Sequence, residues 1–260
     1  MGKDHSDGSS RLLAPPNLVV RLASLADAYT LASINVQTFQ NDVLLSWLHR
    51  WPAIDSPGRS QAEENAIQQY HLPAFKRFLA SPSNFAFIVS DRATKQCIGL
   101  AGWRAPQTSD LRRKQSSYER LSAFAFRVQD ALSSTSLFQW LHRLLYPQAA
   151  ALTAKMKRWV SMEIASHQHI NPNHGKDWNL TILGVLPSHA RQGIASRLLQ
   201  WGIDKADEED KAIYLNSSPP GVGLYQKHGF KVLRRVTVFA DEDRGGFEDC
   251  AMCRPPKSEH

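Results

Sequence analysis

Apolar positions along the chain fall into short runs broken by turn-forming residues, with longer stripes at helical spacing between them. The run Leu18-Val19-Val20-Arg21-Leu22 predicts a first strand. Ser24 then suits an N-cap, because its hydroxyl can accept from a free first-turn amide, ahead of a helix carrying Leu25, Ala28, Leu31, Ala32 and Phe39. After a break at Pro52 to Gly58, residues 63 to 79 repeat at helical spacing, with Pro73 placed to kink or divide the helix. Phe85 to Val89 and Cys97 to Trp103 flank the polar turn Asp91 to Lys95, which is the pattern of an antiparallel hairpin.

From about residue 107 to 177 the pattern becomes mixed and helical, as in Leu137-Phe138-Trp140-Leu141-Leu144-Leu145, and it reads as a helical insertion. A strand over Trp178 to Val185, a helix over Gln192 to Asp207, and a strand over Ala212 to Leu215 follow. A short helix over Gly221 to His228 and a strand over Phe230 to Phe239 come next, with a weaker last strand near Glu248 to Cys253. Residues 1–16 are small and polar and read as a flexible lead-in, leaving 17–254 as a single domain that includes the insertion.

The apolar fraction of 42% and charged fraction of 21% are those of an ordinary globular chain. Apolar runs stop well short of the roughly 18 residues that cross a bilayer, and MGKDHSDGSS has no apolar signal core, so neither a membrane partner nor export is expected. Cys97, Cys250 and Cys253 are too few for a disulfide framework, which suits a reducing compartment, the cytoplasm first, with the nucleus left open. The net charge of +7 is scattered, its one short cluster being Arg112, Arg113 and Lys114, so no nucleic acid partner is expected. A solvated basic face explains that charge as well as a polyanionic ligand does.

Chemistry concentrates in Leu183-Gly184-Val185-Leu186-Pro187-Ser188-His189-Ala190-Arg191-Gln192-Gly193-Ile194-Ala195-Ser196-Arg197, which runs strand, turn, helix. A glycine in the turn lets backbone approach a ligand, and the free amides of a first helical turn point at an anion. The residues fit a pyrophosphate cradle or a surface helix with an incidental glycine. Neither a dinucleotide fingerprint nor a Walker loop is present.

Downstream stands Tyr214-Leu215-Asn216-Ser217-Ser218-Pro219-Pro220-Gly221-Val222-Gly223-Leu224-Tyr225-Gln226-Lys227-His228-Gly229-Phe230. With this segment the chain resembles the GNAT superfamily of acyl-CoA N-acyltransferases, in which Val-x-Pro precedes Gln/Arg-x-x-Gly-x-Gly/Ala and a later Leu-Tyr-x-x-x-Gly-Phe closes the core. Val185-Leu186-Pro187 and Gly193-Ile194-Ala195 stand at the matching places; the leading Gln or Arg falls on Ala190, with Arg191 and Gln192 following. The Tyr-Leu-x-x-Ser-Pro-x-Gly combination is similar to a fungal branch. The resemblance covers residues 178 to 239, and the earlier strands by pattern alone.

That resemblance implies an α/β fold with a central mixed, mostly antiparallel sheet flanked by helices, here with a helical insertion. It implies acetyl-CoA as co-substrate and direct attack by an amine, with a small-molecule acceptor expected. Protein lysine or N-terminal acceptors, or a non-catalytic acyl-CoA-binding regulatory module, are the alternatives. Arg191, Gln192, Gly193, Ile194, Ala195 and Ser196 would hold the pyrophosphate, and the backbone of Leu183, Gly184 and Val185 would hold the pantetheine arm and polarise the thioester oxygen. Tyr225 would protonate the leaving thiolate, or else be a packing tyrosine. Asn216, placed just beyond the fifth strand, would bond the pantetheine or a water near the sulfur, or cap a loop. Ser218 would line the CoA channel or form a turn.

For the general base the candidates are Glu163, His174 and Asp177, each equally readable as a solvated group. His167, His169 and His174 have no spacing of a closed metal set, and Cys250-Ala251-Met252-Cys253 lacks a second pair, so no metal is expected. Trp47, Trp51 and Trp103 are candidates for an aromatic acceptor wall or for core. The oligomeric state, monomer or homodimer, is open.

Overall fold

The computed structural model describes residues 17–39, 61–133, 175–238 and 247–259. Strand β1 (Leu18–Leu22) leads through a short 3-10 turn to helix α1 (Ala28–Thr38), and α2 (Gln61–Ala80) precedes the hairpin of β2 (Asn84–Asp91) and β3 (Cys97–Arg104). Helix α3 (Ser117–Ser133), β4 (Trp178–Val185), α4 (Ile194–Glu208), β5 (Ile213–Ser217), α5 (Pro219–Lys227), β6 (Lys231–Val238) and β7 (Phe247–Arg254) follow. The strands form one sheet in the order β1-β2-β3-β4-β5-β7-β6. Every neighbouring pair is antiparallel except β4 with β5, which the crossover through α4 makes parallel.

Helices cover the sheet from both faces, and the glycines show how closely. A Cβ on Gly102 of β3 would lie 3.4 Å from Phe78 of α2, and one on Gly184 of β4 would lie 2.5 Å from Thr38 at the end of α1. On the opposite face Trp103, Trp178, Phe85 and Phe87 gather round Trp201 of α4, with ring centroids 4.6 to 6.3 Å from it. Gly202 makes that approach possible, since a Cβ there would sit 2.3 Å from the Trp103 ring. Arg254 of β7 also reaches this face, donating to both carboxylate oxygens of Asp207 on α4 at 2.6 and 3.1 Å.

The first part of the expected insertion, residues 107 to 116, has no regular structure and is sewn to the core. Arg113 is buried, pairs with Glu119 of α3 at 2.8 Å and donates to the Leu79 carbonyl. Glu119 also accepts from the amides of Leu25 and Ser116 at 3.2 and 2.9 Å. Burial alone would raise its pKa; the bonds from Arg113, Ser116 and Leu25 outweigh that and hold it below the usual range. The rest of the expected insertion, from residue 134 to 174, lies outside the described residues, as do residues 1–16.

Candidate active site

The parallel pair β4/β5 is ladder-bonded over three positions, Trp178↔Ile213, Asn179↔Tyr214 and Leu180↔Leu215. Beyond them β4 runs on to Val185 beside β3, while β5 runs on to Ser217 beside β7. The two strands therefore part, and the edge of β4 from Thr181 to Val185 faces the opening. The parting begins at a bulge: Gly102 pairs with Ile182 and Trp103 with Leu180, so Thr181 is the extra residue, its hydroxyl donating to the Gly102 carbonyl at 2.9 Å. Directly paired residues share a face, which puts Leu183 and Val185, opposite Ala101 and Gly99, on the α4 side and Gly184 on the α1 side.

After β4 the amide of Leu186 donates to Ile98 at 2.8 Å, and a 3-10 turn over Pro187–His189 leads into the loop. Arg191 at φ 60° and Gly193 at φ 76° are both left-handed, and two such residues around one between them fold the backbone inward. Helix α4 starts at Ile194, two residues later than the expected Gln192, because those left-handed positions take Arg191 to Gly193 out of the helix. From Arg191 to Ser196 no amide donates to another described backbone group. A Cβ on Gly193 would meet nothing within 4 Å, so the loop faces open space. No acidic residue stands in the first turn of α4, while Ile194, Leu198 and Leu199 pin the helix to the sheet. Six amides without a partner among the described residues, a helix N-terminus and open space in front of them fit the pyrophosphate of CoA.

Ser218 caps α5 at its start and is exposed; its carbonyl accepts from the Gly221 amide at 2.9 Å and from the Ser217 hydroxyl at 2.8 Å. Tyr225 is buried against Phe230, edge to face at 5.7 Å, and burial pushes its phenol up from 10.0, so the hydroxyl keeps its proton at neutral pH. Helix α5 lies on the α4 side, since a Cβ on Gly221 would sit 2.7 Å from Ser217 Oγ, and Ser217 shares a face with Leu215 and Cys250. Asn216 stands inside β5, which extends to Ser217, rather than beyond it, and it projects to the opposite face. The loops carrying Gly193 and Ser218 both leave the carboxyl ends of the parallel strands, where crevices form in open α/β sheets.

A family model described as "Acetyltransferase (GNAT) family" matches residues 48–230. The chain belongs to this family. Over 81 residues it is 28% identical to the N-terminal acetyltransferase B complex catalytic subunit NAA20 of Arabidopsis thaliana, a match covering 28% of this chain and 47% of that protein. The chain thus spans about half the length of that curated relative. Among solved structures it is similar to arylalkylamine N-acetyltransferase 2 from Aedes aegypti, with TM-score 0.53 and 13% identity over 92% of this chain and 99% of that one. It is also similar to histone acetyltransferase HPA2 and related acetyltransferase from Corynebacterium glutamicum, with TM-score 0.50 and 19% identity over 92% and 97%. At those identities the likeness concerns the fold.

Within this GNAT fold several expected site residues stand elsewhere. Trp103 is fully buried in the aromatic cluster against α4 and belongs to the core, not to an acceptor wall. Asp177 precedes β4 at the end remote from the opening; six residues of strand put it about 20 Å from Leu183. Cys250 and Cys253 are free thiols on opposite faces of β7, as an odd separation along a strand requires. Trp47, Trp51, Glu163, His167, His169 and His174 lie outside the described residues. One group that sequence reasoning passed over is Asp249 on β7. It is half-buried, and burial pushes its carboxyl up to about 6. An acid beside Glu248 in a weak strand reads as solvated edge, so nothing local singled it out.

Proposed function

We propose that this GNAT protein transfers the acetyl group of acetyl-CoA to the primary amine of a small molecule, by direct attack with both substrates bound. The observation that carries the reading is the parted β4/β5 pair, flanked by a loop of six free amides on one side and a buried, protonated tyrosine on the other. The amides of Arg191, Gln192, Gly193, Ile194, Ala195 and Ser196 hold the pyrophosphate, aided by the helix dipole of α4. The open edge of β4 at Leu183, Gly184 and Val185 offers the pantetheine arm the backbone partners a further strand would take, and an amide there stabilises the charge that develops on the thioester oxygen.

Tyr225 supplies the proton for the departing thiolate. Its phenol is protonated through the neutral range, the state from which a general acid acts. Ser218 sits at the mouth of the same opening, and Asn216 serves the face away from α5, nearer the acceptor. The protein N-terminal amine is the second reading, and the Arabidopsis relative favours it over its 81 matched residues. Both acceptors present the same nitrogen to the same carbon.

The test is CoA thiol release from acetyl-CoA in the presence of tryptamine, spermidine, or a peptide with a free N-terminus. Saturable release with tryptamine or spermidine is expected. Release with the peptide alone contradicts the small-molecule acceptor, and release with none contradicts N-acetyl transfer.

A further inference from the structure

We infer that Asp249 receives the ammonium group of the acceptor and takes its first proton, an assignment that rests on the amine N-acetyltransferase reading above. Leu180, Leu215 and Met252 stand level across β4, β5 and β7. Three residues further toward the opening, allowing for the bulge at Thr181, β4 has reached Leu183 to Gly184 and antiparallel β7 has reached Asp249. The last ladder pair of β5 is Ser217↔Cys250, so β5 has left the sheet at that level. Asp249 therefore looks across the gap at the stretch of β4 proposed to polarise the thioester. Two strand spacings separate the backbones by at least about 10 Å, room for an acetyl group and an amine between the Asp249 carboxylate and β4.

Face decides the role. Cys250 and Met252 share the α4 side with Ser217 and Leu215, so Asp249 and Ala251 share the other side with Asn216 and Tyr214. Tyr225 comes from α5 on the α4 side. The proposed acid and Asp249 thus stand on opposite faces of the sheet, with the amine on the Asp249 side of the thioester and the sulfur on the Tyr225 side.

Charge completes the case. Among the described residues Asp249 has no cationic partner. Val236 lies directly opposite it on β6, and Arg234, on the same face opposite Ala251, is exposed and makes no ion pair with it. Arg235 is occupied by Glu248 at 2.6 Å on the other face. Tyr214 and Cys253 share the Asp249 face further from the opening, bonded to each other, and Lys231 lies opposite Cys253. A half-buried carboxylate without a cation costs stability unless something supplies one. A primary ammonium is the ligand that satisfies it.

The protons then balance. The ammonium gives one proton to Asp249, and the neutral amine forms the C–N bond at the carbonyl carbon. As the C–S bond breaks, the thiolate takes the Tyr225 proton; the nitrogen, on the Asp249 side, gives its second proton to solvent, from which the Tyr225 oxygen is reprotonated. Asp249 releases its proton to solvent.

The experiment compares the whole chain with Asp249→Asn, using acetyl-CoA and whichever of tryptamine, spermidine and the peptide is turned over, from pH 5 to 9. Wild-type kcat/KM for the amine should rise through about pH 6 and level off below the pKa of the amine, because ionised Asp249 and protonated amine react together. The variant should keep its acetyl-CoA affinity, lose at least about 100-fold in kcat/KM near pH 7, and lose the limb near pH 6, its rate now rising with the fraction of neutral amine. A merely structural Asp249 would lower activity without removing that limb. A variant within threefold of wild type, or one with the wild-type pH profile, overturns the inference. Should the variant not fold, a wild-type profile without a limb near pH 6 overturns it and one with the limb supports it. Absence of turnover with all three amines instead contradicts the N-acetyltransferase reading.

Discussion

Tyr225 is the residue on which the chemistry and the packing make different demands. As a packing ring against Phe230 it would be replaced by phenylalanine at little cost, because the ring and its 5.7 Å contact remain. As the acid it cannot be. Tyr225→Phe should lower kcat by about 10²- to 10⁴-fold while leaving acetyl-CoA affinity and thermal stability near wild type. Steady-state kinetics beside calorimetry measures both, and an unchanged kcat would return Tyr225 to the core. Asp249 carries the opposite balance, a gain in function at a cost in stability. Its folded pKa of about 6 exceeds its ordinary 3.8, so the cost is absent below 3.8, grows between the two values and is full above about 6. That rise corresponds to a cost of up to about 3 kcal/mol. Asp249→Asn should therefore melt at a higher temperature than wild type at pH 7.5 and at the same temperature near pH 3.5; a lower melting temperature at pH 7.5 would contradict the burial of an unpaired charge.

At the scale of elements, β1 to β4 were legible because each carries an apolar run beside turn residues, and the β2/β3 hairpin because a short polar turn joins its strands. The start of α4 was not: Arg191 and Gln192 are good helix formers, and only the tertiary bend through Arg191 at φ 60° takes them out of the helix. Strand β7 was faint because its acidic start hides a strand whose Cys250 and Met252 lie buried between β5 and β6. The strand-turn-helix passage with a glycine ahead of α4 was readable from local spacing, whereas the place of Asp249 depends on register across three strands, which no local pattern encodes.

Two contacts between elements can be tested by stability. At Gly202 an alanine gains about 1 kcal/mol in helix propensity, but its Cβ would stand 2.3 Å from Trp103, and overpacking costs about 1–3 kcal/mol or more. The clash wins, so Gly202→Ala should lower the urea midpoint; a rise would mean α4 sits further from the sheet. Glu119→Ala leaves buried Arg113 without its carboxylate and should cost about 3–5 kcal/mol in the same titration. Because the folded pKa of Glu119 is lowered, its stabilisation is complete above its ordinary 4.5 and is lost as pH falls through the folded value. The gap between wild type and variant should accordingly narrow below pH 4.5.

For the whole molecule, the proposed reaction gives one face of the parted sheet to the cofactor and the other to the acceptor, with the thioester passing between β4 and β5. Helices α4 and α5 bring the anion-binding loop and the acid to the first face; β7 brings Asp249 to the second. The reaction depends first on the CoA cradle, in which Gly193 is exposed, left-handed and facing open space. Any L side chain there costs about 1–2 kcal/mol, which a folded domain tolerates, but a glutamate also sets a negative charge where the pyrophosphate must lie. The deciding measurement is calorimetric titration of acetyl-CoA into the whole chain and into Gly193→Glu. Micromolar binding by wild type, weakened at least about 100-fold in a variant that still melts cooperatively, is the result this account predicts. No binding by folded wild type, or equal binding by both proteins, would contradict it.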